Sequence, residues 1–175
     1  MSRGVEDFEA WVQARSGALA RTAYLLTGDV HLAEDLLQDT LARVADRWRR
    51  LARTGGPDAY ARRVMHNLSI DRWRRRSARP PELLTGEHPE LGRPGDDADA
   101  VERRLVLAQA LARLTPKQRA VLSLRFYDDL TEVQTAAVLG CSPNTVKSQT
   151  RQALDRLRVL APDLLASLVE EANPR

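Results

Sequence analysis

A single cysteine, Cys141, excludes a disulfide framework and a cysteine-based zinc knuckle, and it fits a reducing compartment. No stretch approaches about 18 uncharged apolar residues, so no membrane insertion is expected. The opening MSRGVEDFEAW is acidic and carries no apolar run, unlike a secretory signal. A cytoplasmic protein is therefore expected. Aromatics are only 5% of the chain against 43% hydrophobic residues overall, which points to the small Leu/Ala/Val cores of helices. At 175 residues the chain can form one ordinary domain or two small ones.

What the chain has in quantity is arginine, and it is unevenly placed. The net charge of +3 divides into −4 over residues 1–42, +9 over 43–79, −5 over 80–100, +5 over 101–162 and −2 over the tail. Two basic blocks held apart by an acidic spacer suggest two contacts with a polyanion. Compositional bias alone would supply arginines without sorting them in this way.

The first basic block contains Asp58 to Arg79, read as a helix with two faces. Ala61, Val64, Met65 and Leu68 make an inward stripe at helical spacing. Arg62, His66, Ser69, Ile70 and Trp73 fall opposite, flanked by Arg63, Asn67 and Arg74. Guanidinium groups bind phosphates, and aromatic or amide groups stack on or hydrogen-bond to unpaired bases. The plainer alternative is a solvated basic face with Trp73 under a neighbouring helix. Ahead of it, Arg49 to Pro57 reads as a flexible basic loop, because Gly55-Gly56-Pro57 cannot continue a helix.

Residues 5–27 read as a helix, and Asp29 as the N-cap of the next. That second helix, continuing to Trp48, buries Leu32, Leu36, Leu37, Thr40, Leu41, Val44 and Trp48, while Glu34, Asp35, Gln38 and Asp39 gather on its other side. Metal ligation with His31 would need Glu-x-x-His pairs from facing helices, and the sequence has none. A docking surface for a basic protein partner fits better, beside the alternative of a plain solvated face. No cofactor and no catalytic or metal-binding set is expected.

Pro80 to Ala100 has four prolines, three glycines, six acids and no helical stripe, so it reads as a flexible linker. Helical pattern returns from Val101 to Leu114. Thr115-Pro116-Lys117-Gln118 is a capping box opening a helix through Ala120, Val121, Leu124 and Phe126 to Asp128. Thr131 and Gln134 repeat the capping box, the short helix ends at Gly140, and Ser142-Pro143 opens a third helix reaching about Leu160. Two helices with a short glycine turn make a helix-turn-helix. Val146, Ala153, Leu154 and Leu157 point inward, and Asn144, Lys147, Ser148 and Arg151 share the exposed face where a recognition helix meets the major groove. Cys141 in the turn is expected to be a small buried residue.

These residues resemble the extracytoplasmic-function (ECF) sigma factors, the compact two-domain members of the sigma-70 family. AEDLLQDTLARV (33–44) is similar to region 2.2, AYARRVMHNLSIDRWRRR (59–76) to regions 2.3 and 2.4, and residues 114–158 to region 4. The Thr-Pro-x-Gln-Arg opening, the Asp-Leu-Thr step and GCSPNTVKS are the most specific, and with TAYLLTGD (22–29) they point to the SigE-type group common in actinobacteria.

The resemblance implies an all-α fold with a region 2-like domain at 1–79, a linker at 80–100 and a region 4-like domain at 101–175. It implies a non-enzymatic subunit that binds core RNA polymerase and directs transcription initiation at chosen promoters. Asp35, Gln38 and Asp39 would dock on the clamp helices of the β′ subunit. Arg53, Tyr60, Arg62, Arg63, His66, Asn67, Trp73 and Arg74 would read the −10 element as single strand. Asn144, Thr145, Lys147, Ser148 and Arg151 would read the −35 element as duplex, with region 4 seated on the β flap. Tyr60 stands where many members have Trp. An anti-sigma factor is a further partner that the family brings with it.

Overall fold

The computed structural model describes residues 2–77, 106 and 109–162, so the expected linker and the tail from Asp163 lie outside the described residues. Regular structure among the described residues is helical: α1 (Ser2–Thr27), α2 (Val30–Ala45), α3 (Trp48–Thr54), α4 (Pro57–Ser77), α5 (Pro116–Leu122), α6 (Glu132–Leu139) and α7 (Pro143–Leu160). Residues 109–112, also helical, precede α5.

Local chemistry sets most of the boundaries. Asp29 accepts from the Leu32 amide at 2.8 Å and starts α2. Both expected capping boxes are closed: Thr115 with Gln118 at α5, and Thr131 with Gln134 at α6. Ser142 caps α7 through the Thr145 amide, with Pro143 in the first turn where its missing N–H costs nothing. Gly140 takes φ 65° at the end of α6, a left-handed value that an L side chain resists, and so turns the chain into α7.

Three boundaries depart from the sequence expectation. The second helix stops at Ala45, and Trp48 opens α3 instead of closing α2. The expected loop from Arg49 is that short helix; only Gly55, left-handed at φ 68°, and Gly56 break it, and Pro57 begins α4. The helix from Pro116 does not run regularly to Asp128. After Leu122 it widens into a π-helical segment, Ser123–Tyr127, closed by the Asp128 amide donating to the Ser123 carbonyl at 3.0 Å. The widening turns Phe126 outward, to 62% exposure, while Leu124 stays fully buried.

The N-terminal helices share two cores. Phe8, Trp11 and Trp48 form an aromatic cluster beside Val44, Leu51 and Ala61, with ring centroids 5.2–6.2 Å apart. Trp11 Nε1 and Arg15 both donate to Asp58, at 2.8 and 2.9 Å, fastening the start of α4 to α1. Leu36, Val64, Met65 and Leu68 build the second core with Ala23 and Leu26. That core also takes in Ala120 of α5, and Leu139 of α6 packs against it. The C-terminal half has its own clusters around Ala153 and Leu157 and around Val121, Ala136 and Val146. The two halves therefore pack on each other, with α5 and α6 against α4 and α5 also against α1.

Candidate nucleic-acid interface

The sequence-derived candidates fall into three groups. On α7, Val146, Ala153 and Leu157 are buried, and Asn144, Thr145, Lys147, Ser148 and Arg151 are all exposed. The inward set fixes the roll of the helix, and the turn at Gly140 and Ser142 fixes its start. The five candidates thus stand together at the N-terminal end of the second helix of a helix-turn-helix, on a surface with two cationic side chains. Such a surface can enter a major groove, where amide and hydroxyl groups meet base edges and cations meet phosphates. Cys141 is exposed, correcting the expectation of burial: the glycine turn before it carries the chain outward and leaves no core to cover it.

The α4 group is divided. Arg63, Trp73 and Arg74 are exposed, Trp73 at 44%, so its ring is open for stacking and does not fill a gap under a neighbouring helix. Asn67 and Arg62 are half-buried, as is Tyr60, whose ring lies 5.2 Å from the Arg47 guanidinium carbon in a cation–π contact. Arg53 is exposed at the end of α3. His66 departs from expectation: it is fully buried, and Ser69 with it. His66 Nδ1 lies 2.8 Å from the Arg62 carbonyl and must donate, which leaves Nε2 to accept from Ser123 Oγ at 3.4 Å. Burial is the main cause that lowers the imidazole from 6.5 to about 4, and the neighbouring Arg62 charge pushes the same way, so the ring is neutral near pH 7. The face expected to be open is thus partly closed: the C-terminal half meets Arg62 through Asp128 and His66 through Ser123.

The α2 group is exposed throughout at Asp35, Gln38 and Asp39. Arg72 of α4 reaches across to it, donating to Asp39 Oδ2 at 2.5 Å and to the Asp35 carbonyl at 3.1 Å. The patch can meet a basic partner, with Asp39 held in place by its neighbour. Sequence reasoning misses Arg72, and also Arg47 and Asp128. Each acts through a helix distant in sequence, and helical periodicity carries no signal for such a contact.

Two family models match the chain: Sigma-70 region 2 over residues 8–79, and Sigma-70 region 4 over residues 104–157. An RNA polymerase sigma-E factor of Streptomyces coelicolor is 42% identical over 169 residues, covering 95% of this chain and 93% of that one. The chain belongs to the sigma-70 family. Among its other relatives, the ECF RNA polymerase sigma factor SigL of Mycobacterium tuberculosis is 35% identical over 154 residues, covering 85% of each chain. The fold of this sigma factor is also found in a solved structure of the sigma factor RpoE with the anti-sigma factor NepR from Bartonella quintana. That likeness has a TM-score of 0.68 at 23% identity and covers 90% of this chain and 98% of the other. It is accordingly an ECF sigma factor of the SigE type, and its function is promoter-specific transcription initiation.

Proposed function

We propose that this sigma factor docks on core RNA polymerase through Asp35, Gln38 and Asp39 of α2, against the clamp helices of β′. In the same reading α7 recognises the −35 element as duplex through Asn144, Thr145, Lys147, Ser148 and Arg151, with the C-terminal domain seated on the β flap. Arg53, Tyr60, Arg62, Arg63, His66, Asn67, Trp73 and Arg74 then serve the −10 element as single strand. The division is a region 2 domain at 1–79, a linker at 80–100 and a region 4 domain at 101–175. The chain works in the cytoplasm and needs no catalytic group of its own, since phosphodiester chemistry belongs to the polymerase. An anti-sigma factor is a further class of partner, by analogy with the NepR complex of the related fold.

The observation that carries this reading is the joint exposure of the five α7 side chains at the start of a capped helix-turn-helix. The charge supports it too: one exposed acidic patch for a protein, and arginine-rich surfaces for nucleic acid. The experiment is a titration of labelled protein with core RNA polymerase, with the Asp35→Ala/Asp39→Ala variant alongside. Saturable binding weakened at least tenfold (about 1.4 kcal/mol) in the variant is expected. Equal affinity of variant and wild type would refute the docking assignment, and exposed alanines on a helix leave the fold intact.

A further inference from the structure

Arg47 belongs to none of the residue sets given above to DNA or to polymerase, yet it stands against one of them. It occupies the break between α2 and α3, where its amide donates to the Val44 carbonyl at 3.1 Å. Its own carbonyl accepts from the Arg50 and Leu51 amides at 3.0 and 3.1 Å. The backbone is thus fixed on both sides, while the residue itself is exposed. Its guanidinium carbon lies over the Tyr60 ring, 5.2 Å from the centroid. Tyr60 is half-buried and packs on both N-terminal cores, so the cores hold the ring from inside and Arg47 covers it from the solvent side.

Tyr60, Arg63, Asn67 and Arg74 follow one another at intervals of three, four and seven residues, which sets them in one line along α4. Arg47 comes from outside that helix to the head of the line. With the described residues it forms no ion pair. The open cleft beside it is lined by Ala45, Asp46, Arg49 and Arg50, two further cations against one carboxylate. A guanidinium serving only the fold would gain little here, because a cation–π contact at an exposed site is weak. The group is planar and weakly hydrated, however, so one plane can lie on a ring while the opposite plane stays open. Unpaired bases stack on guanidinium planes as they do on aromatic rings.

We propose that Arg47 and Tyr60 form one two-layer platform, on which an unpaired base of the promoter strand stacks against Arg47 with Tyr60 bracing it from beneath. This rests on the assignment of the α4 line to the −10 strand, and it adds a residue that lies outside α4. Arg47 then acts by its plane more than by its charge. Arg49 and Arg50 supply positive charge at the same edge, where the phosphates of the stacked strand run.

The test uses the full chain bound to core polymerase and a single-stranded −10 oligonucleotide carrying a fluorescent base analogue, at fixed salt. Arg47→Ala should weaken affinity by about fivefold or more, the low end of what one base stack contributes. Arg47→Lys should lose as much, because an ammonium keeps the charge and has no plane. Tyr60→Leu should weaken binding as well. The double variant Arg47→Ala/Tyr60→Leu should lose clearly less than the product of the two single losses, as groups acting together do. Affinity for a −35 duplex, read through α7, should be unaltered in every variant and checks that the chain is folded. Wild-type affinity in Arg47→Ala, full rescue by Arg47→Lys, or losses that simply multiply would each overturn the platform, while a loss in Tyr60→Leu keeps the −10 assignment standing. If Tyr60→Leu and Asn67→Ala both bind the oligonucleotide like wild type, the −10 assignment of α4 fails, and the platform with it.

Discussion

Helices α4 and α7 are both arginine-bearing and both are assigned to DNA, yet they are built differently. On α7 the polar residues at the N-terminal end face solvent and the apolar ones face the two clusters of the C-terminal half. On α4 the apolar residues pack toward α1 and α2, while His66, off that stripe, is fully buried with Ser123 of the C-terminal half at its ring. A helix covered on one side displays its function in its sequence pattern. A helix covered on two sides hides part of it. The difference suits the proposed division of labour, in which duplex DNA meets the exposed, preformed face of α7.

The largest expected effect of breaking this comparison is on the doubly covered helix. Met65→Ala removes a fully buried side chain from the core that both halves share, and it should cost about 2–5 kcal/mol of stability in a denaturant titration. On the singly covered helix, Lys147→Ala with Arg151→Ala should leave stability within about 0.5 kcal/mol. The same pair should weaken −35 duplex binding and reduce the slope of log affinity against log salt by roughly one for each phosphate no longer neutralised. An unchanged slope would refute phosphate binding by those two residues.

A pH series sharpens the contrast next. His66 holds its proton less readily when folded, so stability is full above 6.5 and declines as pH falls toward about 4. The decline should approach about 1.4 kcal/mol per pH unit inside that window. Arg62 and Ser123 face the ring, and Asp128 lies beyond Arg62. Burial raises Asp128, so its protonation relieves a cost and offsets part of the loss at the acid end. A His66→Gln variant should flatten the upper part of the curve. A smaller loss than at Met65 is expected at the cap of α7, where Ser142→Ala should cost about 1 kcal/mol and lower −35 affinity only modestly.

Much of the architecture is legible in the sequence because it is local. Asp29, Thr115, Thr131 and Ser142 announce helix starts through hydrogen bonds to amides three residues away, and Gly140 announces a stop. The α7 face is readable for the same reason. The π segment is not, since no local residue forbids a regular helix there; tertiary packing of Leu124 inward and Phe126 outward decides it. The short helix α3 is hidden by the glycines just after it, which mark its end and give the whole stretch the pattern of a loop. The burial of His66 and the pairing of Arg62 with Asp128 and of Asp39 with Arg72 link residues 33 to 66 positions apart, beyond the reach of periodicity.

The measurement that tests this division of labour most directly is strand opening at a promoter, read by a fluorescent base analogue in the −10 non-template strand with core polymerase present. Three chains are compared: wild type, Asn67→Ala/Trp73→Ala on α4, and Lys147→Ala/Arg151→Ala on α7. The α4 variant is expected to retain duplex binding but lose most of the opening signal, while the α7 variant binds weakly and opens normally once saturated. An α4 variant that opens the promoter like wild type would contradict the assignment of unpaired DNA to that helix.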